Sequence, residues 1–221
     1  MPSAEFLVKG SSQLPATLVL ATRNKGKILE MQRLLDEHAS AIHVVSSSEF
    51  NVDDVEETGD TFEANAILKA LTISRATGLP ALADDSGLCI DALNGAPGIY
   101  SARWAGEHGN DQANIDRVLQ QLSDVKDGDR GAQFVCVIAM ARPNGATEVV
   151  RGELRGKILT AQKGVHGFGY DPIFQPQGFD QTLAELAPEK KDDISHRGQA
   201  DRKSTRLNSS HEWISRMPSS A

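Results

Sequence analysis

Apolar residues in this chain fall into two rhythms, short unbroken runs and stripes spaced three and four apart, which predicts strands interleaved with helices. Thr17-Leu18-Val19-Leu20-Ala21 is a run of the kind that forms a buried strand. It breaks into Thr22-Arg23-Asn24-Lys25-Gly26-Lys27, after which Ile28, Met31, Leu34 and Leu35 recur at helical spacing up to about His38. Ile42 to Val45 reads as a second strand, followed by a serine-rich loop. The acidic stretch Asp53 to Gly59 reads as a loop. Asp60 and Glu63 are the expected capping pair of a helix with the buried stripe Phe62, Ala66, Ala70 and Ile73, ending near Gly78-Leu79-Pro80.

Two apolar pieces follow, Ala81-Leu82-Ala83 and Leu88-Cys89-Ile90, separated by Asp84-Asp85-Ser86-Gly87, which reads as a turn. A glycine-rich excursion from Asn94 to Gly109 precedes a helix with Ile115, Val118, Leu119 and Leu122 on one face. The runs Ala132 to Ala141 and Thr147 to Leu154 flank Pro143-Asn144-Gly145, a hairpin signal, and Gly156 to Leu159 extends the second of them. Gly164 to Pro172 is too rich in glycine for regular structure, and Thr182 with Glu185 marks the start of a short helix. Strands and helices alternate early and a hairpin comes late, so the expected fold is α/β with a mixed central sheet.

Composition changes little in this picture. The chain has 221 residues, 39% hydrophobic and 24% charged, an ordinary globular balance that fits one domain, or one domain with two lobes. A net charge of −7 disfavours a nucleic-acid partner, which needs a broad basic face. Cys89 and Cys136 sit apart in apolar runs and read as buried reduced thiols. No apolar run is long enough to span a bilayer, and residues 1–16 form a polar leader without a signal-peptide pattern, so a cytoplasmic protein is expected. The stretch 201–221 is serine-rich with no sustained apolar period and carries four basic against two acidic residues. It reads as appended or mistranslated sequence, though a native disordered tail fits the composition as well. The domain is therefore expected over residues 17–200.

Four groupings could carry chemistry. Thr22 to Lys27 forms a turn from a strand end into a helix start, where backbone N–H groups and lysines suit an anion; a solvated surface turn fits the same residues. Glu56-Glu57 and Asp84-Asp85 offer carboxylates of the number that Mg²⁺ takes alongside phosphate oxygens and water. Asp84-Asp85 reads equally as an Asp-rich hairpin turn. Gly167-Phe168-Gly169-Tyr170-Asp171-Pro172 sets aromatics on a flexible frame, for base stacking or for docking on the core. Ser195-His196-Arg197-Gly198, after Lys190-Lys191, could donate hydrogen bonds to a keto oxygen and meet a phosphate, or be plain surface.

The order and wording of these motifs add what none supplies alone. LATRNKGK, EETGDTFEANAILKA, ALADDSGLCIDALNGAPGIYSARWAG, GFGYDPIF and ISHRGQA, in that sequence, resemble the non-canonical purine nucleoside triphosphate pyrophosphatases, the inosine/xanthosine triphosphate pyrophosphatase family. The resemblance covers roughly Thr17 to Ala200. It implies a homodimer of elongated, two-lobed subunits with the active-site cleft between the lobes. It also implies Mg²⁺-dependent hydrolysis of ITP, dITP and XTP to the monophosphate and pyrophosphate.

Carried over by position, the resemblance assigns triphosphate binding to Thr22, Arg23, Asn24, Lys25, Gly26 and Lys27, with Lys69 as a further phosphate ligand. Glu56 and Asp85 would bind one Mg²⁺, and Asp85 would accept the proton of the attacking water beside Ser86. Phe168, Gly169, Tyr170 and Asp171 would line the base pocket, and Lys191, His196 and Arg197 would complete the contacts. Donors facing the keto oxygen at C6 would select inosine over adenosine, since an amino group there would set donor against donor. Two departures stand out. Arg23 occupies a position that is often small in the family, and the family's terminal amphipathic helix has no counterpart after Ala200. A nucleotide sensor on the same scaffold, or a pyrophosphatase for other modified nucleotides, are the competing readings; Asp85 speaks against the first and the Ser-His-Arg and Phe-Gly-Tyr-Asp motifs against the second.

Overall fold

The computed structural model of the chain describes residues 16–22, 28–29 and 42–194. Six strands, β1 (Ala16–Leu20), β2 (Ile42–Ser46), β3 (Ala81–Ile90), β4 (Gly131–Ala141), β5 (Thr147–Ile158) and β6 (Phe174–Pro176), form one sheet in the order β2-β1-β3-β4-β5-β6. β1 pairs in parallel with β2 and β3, whereas β3, β4, β5 and β6 are successively antiparallel, so the sheet is mixed as expected. Among the described residues, helices α1 (Phe62–Thr77), α2 (Asp111–Gln121) and α3 (Pro188–Ile194) accompany the sheet beside several 3-10 turns. Ile28 and Leu29 are helical, and the rest of the helix expected up to His38 lies outside the described residues. No helix among the described residues is long and apolar enough to cross a membrane.

Side chains on a strand alternate between faces, and two cores follow from that alternation. Odd positions Ala81 and Ala83 of β3 and Val135, Val137, Ala139 and Ala141 of β4 pack against Phe62, Ala66, Ala70 and Ile73 of α1. Small residues on both surfaces let the helix lie close to the sheet. Even positions further along, Leu88 and Ile90 of β3 and Ala132 and Phe134 of β4, pack against Ile115 and Val118 of α2, with Tyr170, Phe174 and Leu186. A third cluster, Leu20, Cys136 and Ile138, lies at the β1 end. β3 thus passes from one covered face to the other, and Asp84-Asp85-Ser86-Gly87 occupies the crossing point.

Those four residues are not a turn. β3 is continuous, and Asp85 pairs with Val137 and Ser86 with Cys136 in an unbroken register. Among the described residues β1 pairs with β3 at Ala81 and Leu82, and the chain of residues 96–101 lies against β3 from Leu88, whose N–H donates to Ser101 Oγ at 2.9 Å. Asp84 to Gly87 lie between these two stretches. A side chain at Gly87 would strike the carbonyl of Gly98 and the hydroxyl of Ser101, so glycine is what lets the segment Gly98–Arg103 close over the strand.

Local signals needed adjusting in two further places. Thr61, not Asp60, caps α1: its hydroxyl accepts from Ala64 N at 3.1 Å, while Gly78 closes the helix in the left-handed conformation at φ 70°. Glu63 instead pairs with Arg151 of β5 at 2.6 Å. At Thr182 the capping box forms, with Glu185 Oε2 accepting from Thr182 N at 2.8 Å, but it caps a single 3-10 turn, Leu183–Glu185. The hairpin at Pro143-Asn144-Gly145 forms as the pattern indicated, with Gly145 at φ 88°.

Arg130 ties the two halves of the second core together. Its guanidinium is buried and donates to four backbone carbonyls: Ile158 at 2.9 Å, Leu122 at 2.7 Å, Val125 at 3.4 Å and Leu159 at 3.0 Å. The end of α2 is thereby joined to the end of β5. Arg130→Met should lower the unfolding free energy by about 3 kcal/mol, because buried carbonyls lose their donors. Urea denaturation measures it, and a loss below about 0.5 kcal/mol would show that water replaces the guanidinium.

Candidate active site

Beside Asp85, Ser86 and Gly87 of β3 lies a cleft of about 760 Å³. Its lining brings together residues far apart in sequence: Thr22, the acidic loop at Asp53, Asp54 and Glu57, Lys69 of α1, Asp85 and Ser86 of β3, Arg103, Asp111 of α2, the stretch Phe168 to Asp171, and Lys191 of α3. Two charge systems organise it.

The first is built on Asp85, buried in the wall. Its Oδ2 accepts from Asn65 Nδ2 at 3.2 Å, and its Oδ1 accepts from Ser86 N at 3.1 Å. Asn65 in turn accepts from Gly59 N at 2.7 Å, so one side chain of α1 locks the acidic loop to the strand. One helical turn on, Lys69 Nζ donates to Glu57 Oε1 at 2.7 Å and lies 3.6 Å from Asp85 Oδ1. Arg103 Nη1 reaches the other oxygen of Glu57 at 3.3 Å. Burial alone would depress the Lys69 ammonium, but Asp85, Asp84 and Glu57 outweigh it and hold its pKa above the ordinary 10.5. Lys69 is a cation throughout the neutral range. On the neighbouring position Ser86 Oγ donates to Asp84 Oδ2 at 3.1 Å.

The second system is the ion pair of Lys191 and Asp171, 2.7 Å apart with both side chains almost completely buried. Asp171 Oδ2 also accepts from Phe168 N at 2.9 Å, and the Lys191 ammonium lies 4.9 Å from the centre of the Phe168 ring. Phe168 is therefore held by its backbone and its face together. Gly169 N donates to Asp111 Oδ2 at 2.7 Å, fixing the same stretch to the start of α2. Tyr170 plays another part from Phe168. Its ring belongs to the second core and its hydroxyl donates to Ser101 O at 2.9 Å. Burial, with Asp111 adding to it, pushes the phenol pKa well up, so it remains a neutral donor. Phe168, half-buried in the lining, is the aromatic with surface to offer a ligand.

The sequence model of the Ham1 family matches residues 18–206. The chain belongs to the Ham1 family. A dITP/XTP pyrophosphatase of Streptomyces coelicolor is 54% identical over 186 residues, covering 84% of this chain and 93% of that protein. One of Vibrio cholerae, with the same name, is 51% identical, covering 83% and 92%. Among solved structures, a HAM1 protein from Coxiella burnetii superposes with a TM-score of 0.80 at 46% identity, over 88% of this chain and 98% of that one. A nucleoside-triphosphatase/dITP/XTP pyrophosphatase from Mycobacterium abscessus does so with a TM-score of 0.71 at 47% identity, over 85% and 97%.

Within this Ham1 chain, the cleft gathers Thr22, Lys69, Asp85, Ser86, Phe168, Gly169, Tyr170, Asp171 and Lys191 of the expected site. Arg23, Asn24, Lys25, Gly26 and Lys27, and likewise His196 and Arg197, lie outside the described residues. One expected residue stands apart from the cleft lining. Glu56 is exposed and does not line the cleft, whereas its neighbour Glu57 does and meets Lys69 and Arg103. An extended loop turns adjacent side chains apart, and local pattern gives no hint which one faces inward. Reading by residue type also missed Asn65, Arg103 and Asp111. Asn65 had a signal: with Lys69 it is a polar i, i+4 pair inside the stripe Phe62, Ala66, Ala70, Ile73, which calls for a buried partner.

Replacing Asp171 by Asn should cost about 3 kcal/mol, since it leaves the Lys191 ammonium buried without its carboxylate; thermal or urea unfolding reads it. The raised Lys69 pKa fixes a sign as well. Its stabilisation is complete below the unfolded value of 10.5 and is lost as pH rises through the higher folded value. The stability gap between wild type and Lys69→Met should stay level from about pH 7 to 9 and narrow only above 10.5.

Proposed function

We propose that this chain hydrolyses non-canonical purine nucleoside triphosphates, ITP, dITP and XTP, to the monophosphate and pyrophosphate, with Asp85 as the general base. The observation that carries the proposal is the convergence of Glu57 and Asp85 on one cationic point in a cleft that also presents Phe168. Its volume suits a nucleotide, and relatives about half identical to this chain bear the corresponding name.

The donor set fits a hard divalent cation, which we take to be one Mg²⁺ ion. Two carboxylates already share the Lys69 charge, at 2.7 and 3.6 Å. No group of three or more His, Cys, Asp or Glu among the described residues forms a closed metal site. Glu57 and Asp85 would hold the ion, with phosphate oxygens and water as the remaining ligands, an arrangement that Mg²⁺ favours. When bound, the ion supplies charge neutralisation on the phosphates and makes the attacking water a stronger acid.

The chain's own residues do the rest. Asp85 accepts from Asn65 Nδ2 on Oδ2 and from Ser86 N on Oδ1, which orients the carboxylate that takes the water proton. Attack of that water at the α-phosphorus breaks the bridge to the β-phosphate, and pyrophosphate leaves with its charge met by Lys69 and by the lysines we assign to it, Lys25 and Lys27. Phe168, braced by Lys191 and Asp171, stacks on the base. To His196 and Arg197 we assign the donors to its keto oxygen, a match that the amino group of adenosine would lack. A cytoplasmic homodimer of two-lobed subunits, with the cleft between the lobes, is the setting we adopt for this activity.

Pyrophosphate release from ITP, XTP and ATP, with and without Mg²⁺, tests the reading. ITP and XTP should turn over far faster than ATP and only with the metal. Asp85→Asn should lose about 10³-fold in kcat and Glu57→Gln about 10²-fold, with Glu56→Gln within about three-fold of wild type. Equal turnover of ITP and ATP would refute the selectivity, and tight binding of ITP without turnover would favour a sensor.

A further inference from the structure

Lys69 sits where a divalent cation would have to go. Its ammonium bridges Glu57 Oε1 and Asp85 Oδ1, the two carboxylates assigned to the metal in the reading above, on which this inference rests. A dication and an ammonium cannot share that point, because two positive charges a few ångströms apart in a partly buried site repel strongly. The surroundings differ in how far they can move. Asp85 is pinned by Asn65, itself bonded to Gly59 N, and Glu57 keeps Arg103 on its other oxygen. Lys69 is attached through a flexible four-carbon stem, so its ammonium can leave without shifting α1. A triphosphate in the same cleft offers it a new anionic partner.

We propose that Lys69 is a resident counter-ion which keeps the metal site closed until a triphosphate arrives, and that its ammonium then passes from Glu57 and Asp85 to the phosphates as the cation enters. Metal and nucleotide binding are therefore coupled through Lys69, beyond their direct contact, and the coupling is reciprocal. In the nucleotide-free protein the site binds divalent cations weakly. The device prevents a dication from occupying the carboxylates in a geometry without substrate.

Titrating nucleotide-free protein with Mn²⁺, followed by the electron paramagnetic resonance signal of the free ion, tests this without reference to turnover. Lys69→Met should bind Mn²⁺ at least about ten-fold tighter than wild type, and Lys69→Arg should stay within about three-fold of it. Adding the non-hydrolysable α,β-imido analogue of ITP should tighten Mn²⁺ in wild type by a larger factor than in Lys69→Met. Equal Mn²⁺ affinity in nucleotide-free wild type and Lys69→Met, with Glu57→Gln and Asp85→Asn both abolishing binding, would overturn the counter-ion role while leaving the metal site intact. Unchanged Mn²⁺ binding in Glu57→Gln and Asp85→Asn, with the analogue present, would sink the metal site and this proposal together. Should Lys69→Met fail to fold, the ¹⁵N-labelled lysine ammonium resonances of wild type decide. Mg²⁺ alone should leave the ion-paired signal in place and Mg²⁺ with the analogue should move it; displacement by millimolar Mg²⁺ alone would overturn the proposal.

Discussion

Two neighbouring aspartates buried in the middle of a sheet strand set the terms for the surrounding structure. Asp84 and Asp85 are 1% and 4% exposed, on opposite faces of β3, and a buried carboxylate is costly unless donors and positive charge reach it. For Asp85 those come from α1 and from its own strand. Asn65 and Lys69 approach on the helix, the Ser86 amide closes from beside it, and the acidic loop is drawn in because Gly59 N and Glu57 bond to the same two helix residues. The position of α1 on the sheet, the path of residues 53–59 and the opening of the cleft are thus consequences of one electrostatic requirement.

The backbone supplies the complementary constraint. Among the described residues β1 pairs with β3 as far as Leu82, and Gly98–Arg103 lies against the strand from Leu88 onward, with Asp84 to Gly87 between them. The pleat places the α1 core and the α2 core on opposite faces, so residues from both surround the crossing point. The second ion pair, Lys191 with Asp171, is nearly dry and braces Phe168, whereas Lys69 is bonded to carboxylates that face the cleft. One lysine stiffens a wall, and the other is available for exchange.

Much of this architecture was legible along the chain. Apolar runs and helical stripes marked β1, β2, α1, α2 and the β4–β5 hairpin, since burial of one face imposes its period on local sequence. The Asp84 to Gly87 stretch misled because four polar or small residues between apolar pieces normally signal a turn. Here the ladder to Val135, Cys136, Val137 and Ile138 kept the strand straight. Thr61 displaced Asp60 as the cap of α1 by a single position, a distinction that depends on which residue adopts the extended conformation before the helix.

By itself, the sequence determined the alternation of elements, the mixed sheet and the stock of carboxylates, lysines and aromatics from which a phosphate site could be made, because each is written in neighbouring residues. Tertiary structure alone decided that Glu57 rather than Glu56 enters the cleft, that Asn65 and Arg103 belong to it, and that Tyr170 spends its hydroxyl on Ser101. These outcomes rest on contacts between segments from 6 to 69 positions apart. The direction of a side chain in a loop is set by whatever charge the rest of the fold brings opposite it, which no local period encodes.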